Sequence, residues 1–129
     1  MNALHALLID DDDNSLSVLA ELLAVEGIAS TSVNNPAKLM PTLSKLQQID
    51  LIFLDLEMPN ADGYQVLDML RHELGSEIPV IACTVHTNAI NTAREVGFHS
   101  FISKPLDLDR FPDQLKAILR NERIWETRR

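Results

Sequence analysis

The chain has a single cysteine in 129 residues, so no disulfide framework is possible. A domain of this length buries roughly two-thirds of the surface its unfolded chain exposes and needs no covalent or metal staple to fold. Cys83 lies in the apolar run Val80-Ile81-Ala82-Cys83, where a small buried residue is expected rather than a reactive thiol. The amino terminus lacks the basic start and small-residue cleavage site of a signal peptide. Nowhere do about 18 apolar residues run together as a membrane span requires. Positive charge is also scarce, with 11 Lys and Arg against 19 Asp and Glu and a formal net charge of -8. That balance argues against direct binding of nucleic acid or of an anionic membrane, because both need a cationic surface. The expectation is one soluble cytoplasmic domain without internal repeats or low-complexity segments.

What the chain does have is centred on Leu51-Ile52-Phe53-Leu54-Asp55-Leu56-Glu57-Met58-Pro59-Asn60-Ala61-Asp62-Gly63. Four apolar residues run into Asp55, and the polar, Pro- and Gly-bearing stretch behind it reads as a loop at the end of a buried strand. A second acidic site matches it where Ala6-Leu7-Leu8-Ile9 runs into Asp10-Asp11-Asp12-Asp13. Two such strands side by side in a parallel sheet bring their carboxyl ends to one rim, where open α/β sheets bind ligands. Three or more carboxylates in one pocket need a hard cation, a nearby ammonium, or raised pKa values. Lys104, next to Pro105, is the candidate ammonium.

Strand and helix patterns alternate along the chain. Strands are expected at residues 3–9, 28–33, 51–54, 79–83 and 98–103. Asp12 or Asp13 caps a first helix with Leu16, Leu19, Leu22 and Leu23 on one face and Gly27 at its end. Asn35-Pro36 opens a second helix, kinked or delayed by Pro41, with Leu39, Leu43 and Leu46 inward. Val66, Leu67, Leu70 and Leu74 mark a third helix, with Tyr64 near its start and Gly75 beyond its end, and residues 88–96 form a short fourth. The fifth spans 108–120, with Leu115, Ile118 and Leu119 inward and Pro112 awkwardly near its start. Five strands alternating with five helices imply a doubly wound α/β fold with a parallel sheet covered on both faces. The locally basic tail 121–129 reads as a frayed helix end, a cut linker or a small docking tag.

The acidic pair Asp10-Asp11, the segment from Leu54 to Gly63, Thr84 at the end of the fourth strand, and Ser103-Lys104-Pro105 together resemble the receiver domain of two-component response regulators. Each motif alone is weak, and four in order at the right strand ends are strong. The resemblance covers nearly the whole chain and implies a receiver domain over 1–120 with the flavodoxin-like strand order 2-1-3-4-5. It implies that Asp55 is the phosphoacceptor, charged by a sensor histidine kinase or a histidine phosphotransfer protein. It further implies that Asp10, Asp11, Asp55 and the backbone carbonyl of Glu57 hold Mg²⁺, that Thr84 and Lys104 contact the phosphoryl group, and that Thr84 and Phe101 form the switch. The output would be a shift of the face built by helix four, strand five and helix five, which docks an output protein or a second copy. Such a chain catalyses only its own phosphorylation and dephosphorylation.

The chain also departs from the family pattern. Val85 stands where a small residue is usual, His86 and Glu57 occupy positions that tune attack by water, and the stretch between Thr84 and Gly97 is short. Lys104 as a solvated turn residue, Thr84 as a strand terminator and Phe101 as a half-buried edge-strand aromatic are the plainer readings. Three rival functions compete. Asp10, Asp12, Asn14 and Glu21 match liganding positions of an EF-hand, although Ser15 replaces its glycine and the flanks read as strand and helix. A haloacid dehalogenase-type phosphatase also places an acid two residues after its nucleophile, as Asp55 and Glu57 are placed, but on the first strand of a larger core. A degenerate receiver would dock partners without phosphorylation.

Overall fold

The computed structural model describes residues 3–59 and 61–126, so Asn60 of the central motif and the terminal Arg128 and Arg129 lie outside the described residues. The core strands are β1 (His5–Ile9), β3 (Leu51–Leu54) and β4 (Val80–Thr84), and all of β3 and β4 is buried. Strands covered on both faces have no solvent side, which is why they appear in the sequence as unbroken apolar runs. β2 (Ala29–Val33) flanks β1 and β5 (Ser100–Ser103) flanks β4, all in parallel pairs. With a short sixth strand, β6 (Trp125–Glu126), the sheet order among the described residues is β2-β1-β3-β4-β5-β6, the flavodoxin-like order with one added strand.

The register places the site. Ile9 pairs with Leu54, so Asp10 and Asp55 leave the sheet side by side, and the Asp55 N–H donates to Ile9 O at 3.0 Å. Thr84 pairs with Ser103, which brings Lys104 to the same rim.

Alternate side chains of each strand feed two apolar layers. Leu7, Ile9, Ile52, Leu54 and Phe101 face α2 (Leu39–Lys45), α3 (Gly63–Leu74) and α4 (Ile90–Val96). Ala6, Leu8, Phe53, Ile81 and Ile102 face α1 (Asp13–Val25) and α5 (Phe111–Leu119). Asp12 caps α1 by accepting from the Asn14 N–H, and Gly27 follows its end at φ 78°. Among the described residues no helix is long and apolar enough to cross a membrane.

α2 begins late, as its prolines imply, after a 3₁₀ turn at Pro36–Lys38 that puts Pro41 in the first helical turn, while Leu46 packs inward from just beyond the helix. Other boundaries differ from the sequence reading. A 3₁₀ turn, Thr87–Ala89, likewise precedes α4. α5 starts at Phe111 rather than residue 108, which puts Pro112 in the first turn, where its missing N–H costs no helical bond. Leu119 is not inward but 42% exposed, and Phe111 fills the inner face instead. The loop behind Asp55 contains a short antiparallel ladder, Glu57–Met58 with Ala61–Asp62.

The largest correction concerns the tail. It is neither frayed nor a loose linker over 121–126, because Trp125–Glu126 form β6, pairing parallel with β5. The chain turns back after α5 at Asn121, whose φ of 64° an asparagine tolerates, and buries Ile124. Without β6 the outer edge of β5 would present unpaired backbone groups.

Candidate functional site

Asp10 and Asp55 are buried at the carboxyl ends of β1 and β3, and Asp11 beside them is exposed. One carboxylate oxygen from each of the three lies within 4.8 Å of the other two. Lys104 Nζ reaches Asp10 Oδ2 at 2.5 Å and Asp55 Oδ2 at 3.2 Å. The other oxygens are fixed by backbone: the Glu57 N–H donates to Asp55 Oδ1 at 3.0 Å and the Asp12 N–H to Asp10 Oδ1 at 3.0 Å. Gly63, the first residue of α3, makes room for the loop, because a Cβ there would lie 2.8 Å from Leu56 Cα.

Three carboxylates against one ammonium leave two negative charges uncompensated when all are ionised. Burial pushes Asp55 up from 3.8 to about 6, while the Glu57 N–H and Lys104 pull it down and the Asp10 charge adds to the rise. Burial alone would lower Lys104, but its hydrogen bond to Asp10 and the surrounding carboxylates outweigh it, so the ammonium is held above its ordinary 10.5. This donor set fits a hard divalent cation. All donors are oxygens, the missing charge is two, and one oxygen from each carboxylate lies close enough to the others to share one ion, as an oxygen-coordinated Mg²⁺ requires.

Thr84 closes β4 fully buried, and its Oγ1 accepts a hydrogen bond from the His86 N–H at 3.2 Å. Its carbonyl accepts from the Lys104 N–H at 2.9 Å, which ties the hydroxyl-bearing strand to the ammonium-bearing loop. His86 Nε2 stands 3.4 Å from Glu57 Oε2, an exposed pair above the site, and Val85 at the same rim is 59% exposed. Phe101 is fully buried, and its strand is interior rather than at the edge because β6 covers it. Cys83 is buried, and burial pushes its thiol up to about 12, so it is inert as a nucleophile.

The EF-hand reading fails on this geometry. Asp12 spends both carboxylate oxygens on capping, accepting from the Asn14 N–H and the Ser15 hydroxyl, while Asn14 and Glu21 lie within α1. Asp55 ends the third strand rather than the first, against the dehalogenase arrangement. Beside the carboxylates a cavity of about 200 Å³ runs between α1 and the segment after Lys104, with Ser15, Val18, Pro105 and Leu106 in its lining. Sequence reasoning missed this largely apolar mouth, because its residues come from distant segments with no shared motif.

Comparison with known proteins agrees with this arrangement. Residues 6–116 match the model of the response regulator receiver domain. The chain is 33% identical over 124 residues to the sensor histidine kinase RcsC of Salmonella typhi, covering 95% of this chain and 13% of that protein. It is 30% identical over 118 residues to the probable transcriptional regulator ycf27 of Cyanidium caldarium, covering 90% of this chain and 46% of that protein. The chain thus spans less than half the length of these relatives. Among solved structures, a two-component response regulator from Clostridium difficile matches with a TM-score of 0.79 at 26% identity, covering 91% of this chain and 96% of that one. The chemotaxis protein CheY4 of Vibrio cholerae shares the fold, with a TM-score of 0.81 at 18% identity, covering 91% and 99%.

Proposed function

The chain belongs to the response regulator receiver domain family, and on that premise we propose that Asp55 accepts a phosphoryl group from the phosphohistidine of a sensor histidine kinase or a histidine phosphotransfer protein. The observation that carries this reading is the convergence of Asp10, Asp11, Asp55 and Lys104 at one rim. In the step proposed, an ionised Asp55 oxygen forms the new bond to phosphorus as the bond to the imidazole nitrogen breaks, and the electron pair stays on the imidazole.

Asp10, Asp11, Asp55 and the Glu57 backbone carbonyl would hold Mg²⁺. Once bound, the ion supplies charge neutralisation on the phosphoryl oxygens. Lys104 offers a second positive contact, and the Thr84 hydroxyl, already accepting from His86, still has its own hydrogen to donate. The apolar mouth formed by Val18, Pro105 and Leu106 suits an approaching imidazole and excludes bulk water. The exposed His86–Glu57 pair and Val85 flank the path of attacking water and set the phosphoryl lifetime.

Catalysis extends only to the chain's own phosphorylation and dephosphorylation. The protein works in the cytoplasm, and the α4–β5–α5 face carries the output by shifting between two populations for a docking protein or a second copy. Incubation with Mg²⁺ and acetyl phosphate tests the reading: intact mass rises by one phosphoryl group, and Asp55→Asn abolishes the rise. No rise in the parent chain leaves docking without phosphorylation as the function.

A further inference from the structure

Residues 121–126 lie beyond the segment that matches the family model, yet they touch all three elements of the α4–β5–α5 face. On β5, the Phe101 N–H donates to Ile124 O at 2.7 Å and the Ile124 N–H to Ser100 Oγ at 2.9 Å. On α4, the Arg94 guanidinium lies 4.8 Å over the Trp125 ring. On α5 and its approach, Glu126 Oε2 accepts from Gln114 Nε2 at 2.5 Å and pairs with Arg110 at 2.7 Å. The groove therefore recognises an extended segment with an aromatic residue followed by a carboxylate.

The attachment is specific but small. The β5–β6 ladder spans two residue pairs, and Gln114, which donates to Glu126, has its Oε1 buried without a hydrogen-bond partner. Short elements of this kind open at lower cost than the global fold.

We propose that 121–126 is a detachable intramolecular ligand of this face, with Trp125 as a positioning residue whose docking is coupled to the Asp55 site. The coupling rests on the phosphoacceptor reading above. Lys104, bonded to Asp10 and Asp55, follows directly on β5, and its N–H is tied to Thr84. Two residues before the end of the same strand, Phe101 is fully buried in the layer that Trp125 covers. With β6 docked, Phe101 has no solvent side to turn to, so the segment fixes the packing of the strand that delivers Lys104 to the Asp55 site. By linkage, a phosphoryl group on Asp55 favours docking by the same factor that docking favours the phosphoryl group.

Trp125 is the sole tryptophan, so its fluorescence reads the segment directly. Acrylamide quenching should fall when beryllofluoride, a phosphoryl mimic, is added to the Mg²⁺-loaded chain, and should not change in Asp55→Asn. Trp125→Ala should weaken beryllofluoride binding, measured by calorimetry, by about fivefold or more, the low end of typical coupling, and Trp125→Phe should restore it. Should Trp125→Ala fail to fold, Arg110→Gln at an exposed position loosens Glu126 and should raise basal quenching. Unchanged quenching in a chain whose mass does rise with acetyl phosphate overturns the coupling and leaves the phosphoacceptor reading standing. No rise in mass overturns both.

Discussion

Lys104 holds Asp10 at 2.5 Å, tighter than the 3.2 Å at which it meets Asp55. The ammonium is thus committed first to Asp10, and Asp55 is left buried and under-compensated, with its carboxyl raised to about 6. A divalent cation at this cluster would supply the positive charge that Lys104 alone does not.

Stability follows from the same asymmetry. Asp55 binds its proton more tightly folded, at about 6, than unfolded, near 3.8, so it favours the native state below that window and the advantage is lost as pH rises through it. At pH 7 without metal, its buried charge destabilises the fold. Asp55→Asn should therefore raise metal-free stability by about 1–3 kcal/mol, read from urea unfolding at pH 7, with the gain shrinking below pH 5.

Metal affinity should carry the same proton. Above pH 7 Asp55 is already ionised, and below about 6 the cation must displace its proton. Mg²⁺ affinity should be nearly flat above pH 7 and fall by up to about tenfold per pH unit below 6, measured by calorimetry in buffers of different ionisation enthalpy.

Removing the ammonium should do the reverse of removing the carboxylate. Lys104→Met leaves Asp10 and Asp55 buried without their cation and should cost about 3 kcal/mol at pH 7, with partial recovery as pH falls and Asp55 takes up its proton. Denaturant midpoints at pH 7 and pH 5 check both parts.

Gly63 tests whether the loop behind Asp55 must sit where it does. An added Cβ would meet Leu56 Cα at 2.8 Å and Asp55 O at 3.2 Å, both backbone atoms that cannot swing aside. Gly63→Ala should destabilise by about 1–3 kcal/mol and slow phosphorylation by acetyl phosphate, because relief requires moving the strand end that carries Asp55.

The sequence made legible whatever depends on burial over several residues. Strands sealed on both faces, such as Leu51–Leu54, must be apolar throughout, so their ends announced Asp10 and Asp55. Elements decided by tertiary contact were not legible. Trp125–Glu126 is two residues long amid charges, and only the open edge of β5 makes it a strand. Leu119 fits the helical spacing of α5, yet it falls at the last turn where the sheet no longer covers it, while Phe111 is the first residue of the helix. By contrast, Asp12 is legible as the cap of α1, because an acidic residue just before a helical apolar pattern satisfies the first free N–H groups, as its bonds to Asn14 and Ser15 show.

The central claim is that the acid-labile bond forms on one carboxylate of this cluster. After incubation with Mg²⁺ and acetyl phosphate, borohydride reduction converts an aspartyl phosphate to homoserine, and peptide mass spectrometry locates it. The account predicts homoserine at residue 55 alone, lost when EDTA replaces Mg²⁺. Homoserine at residue 10, 11 or 12, or labelling that survives EDTA, would contradict it.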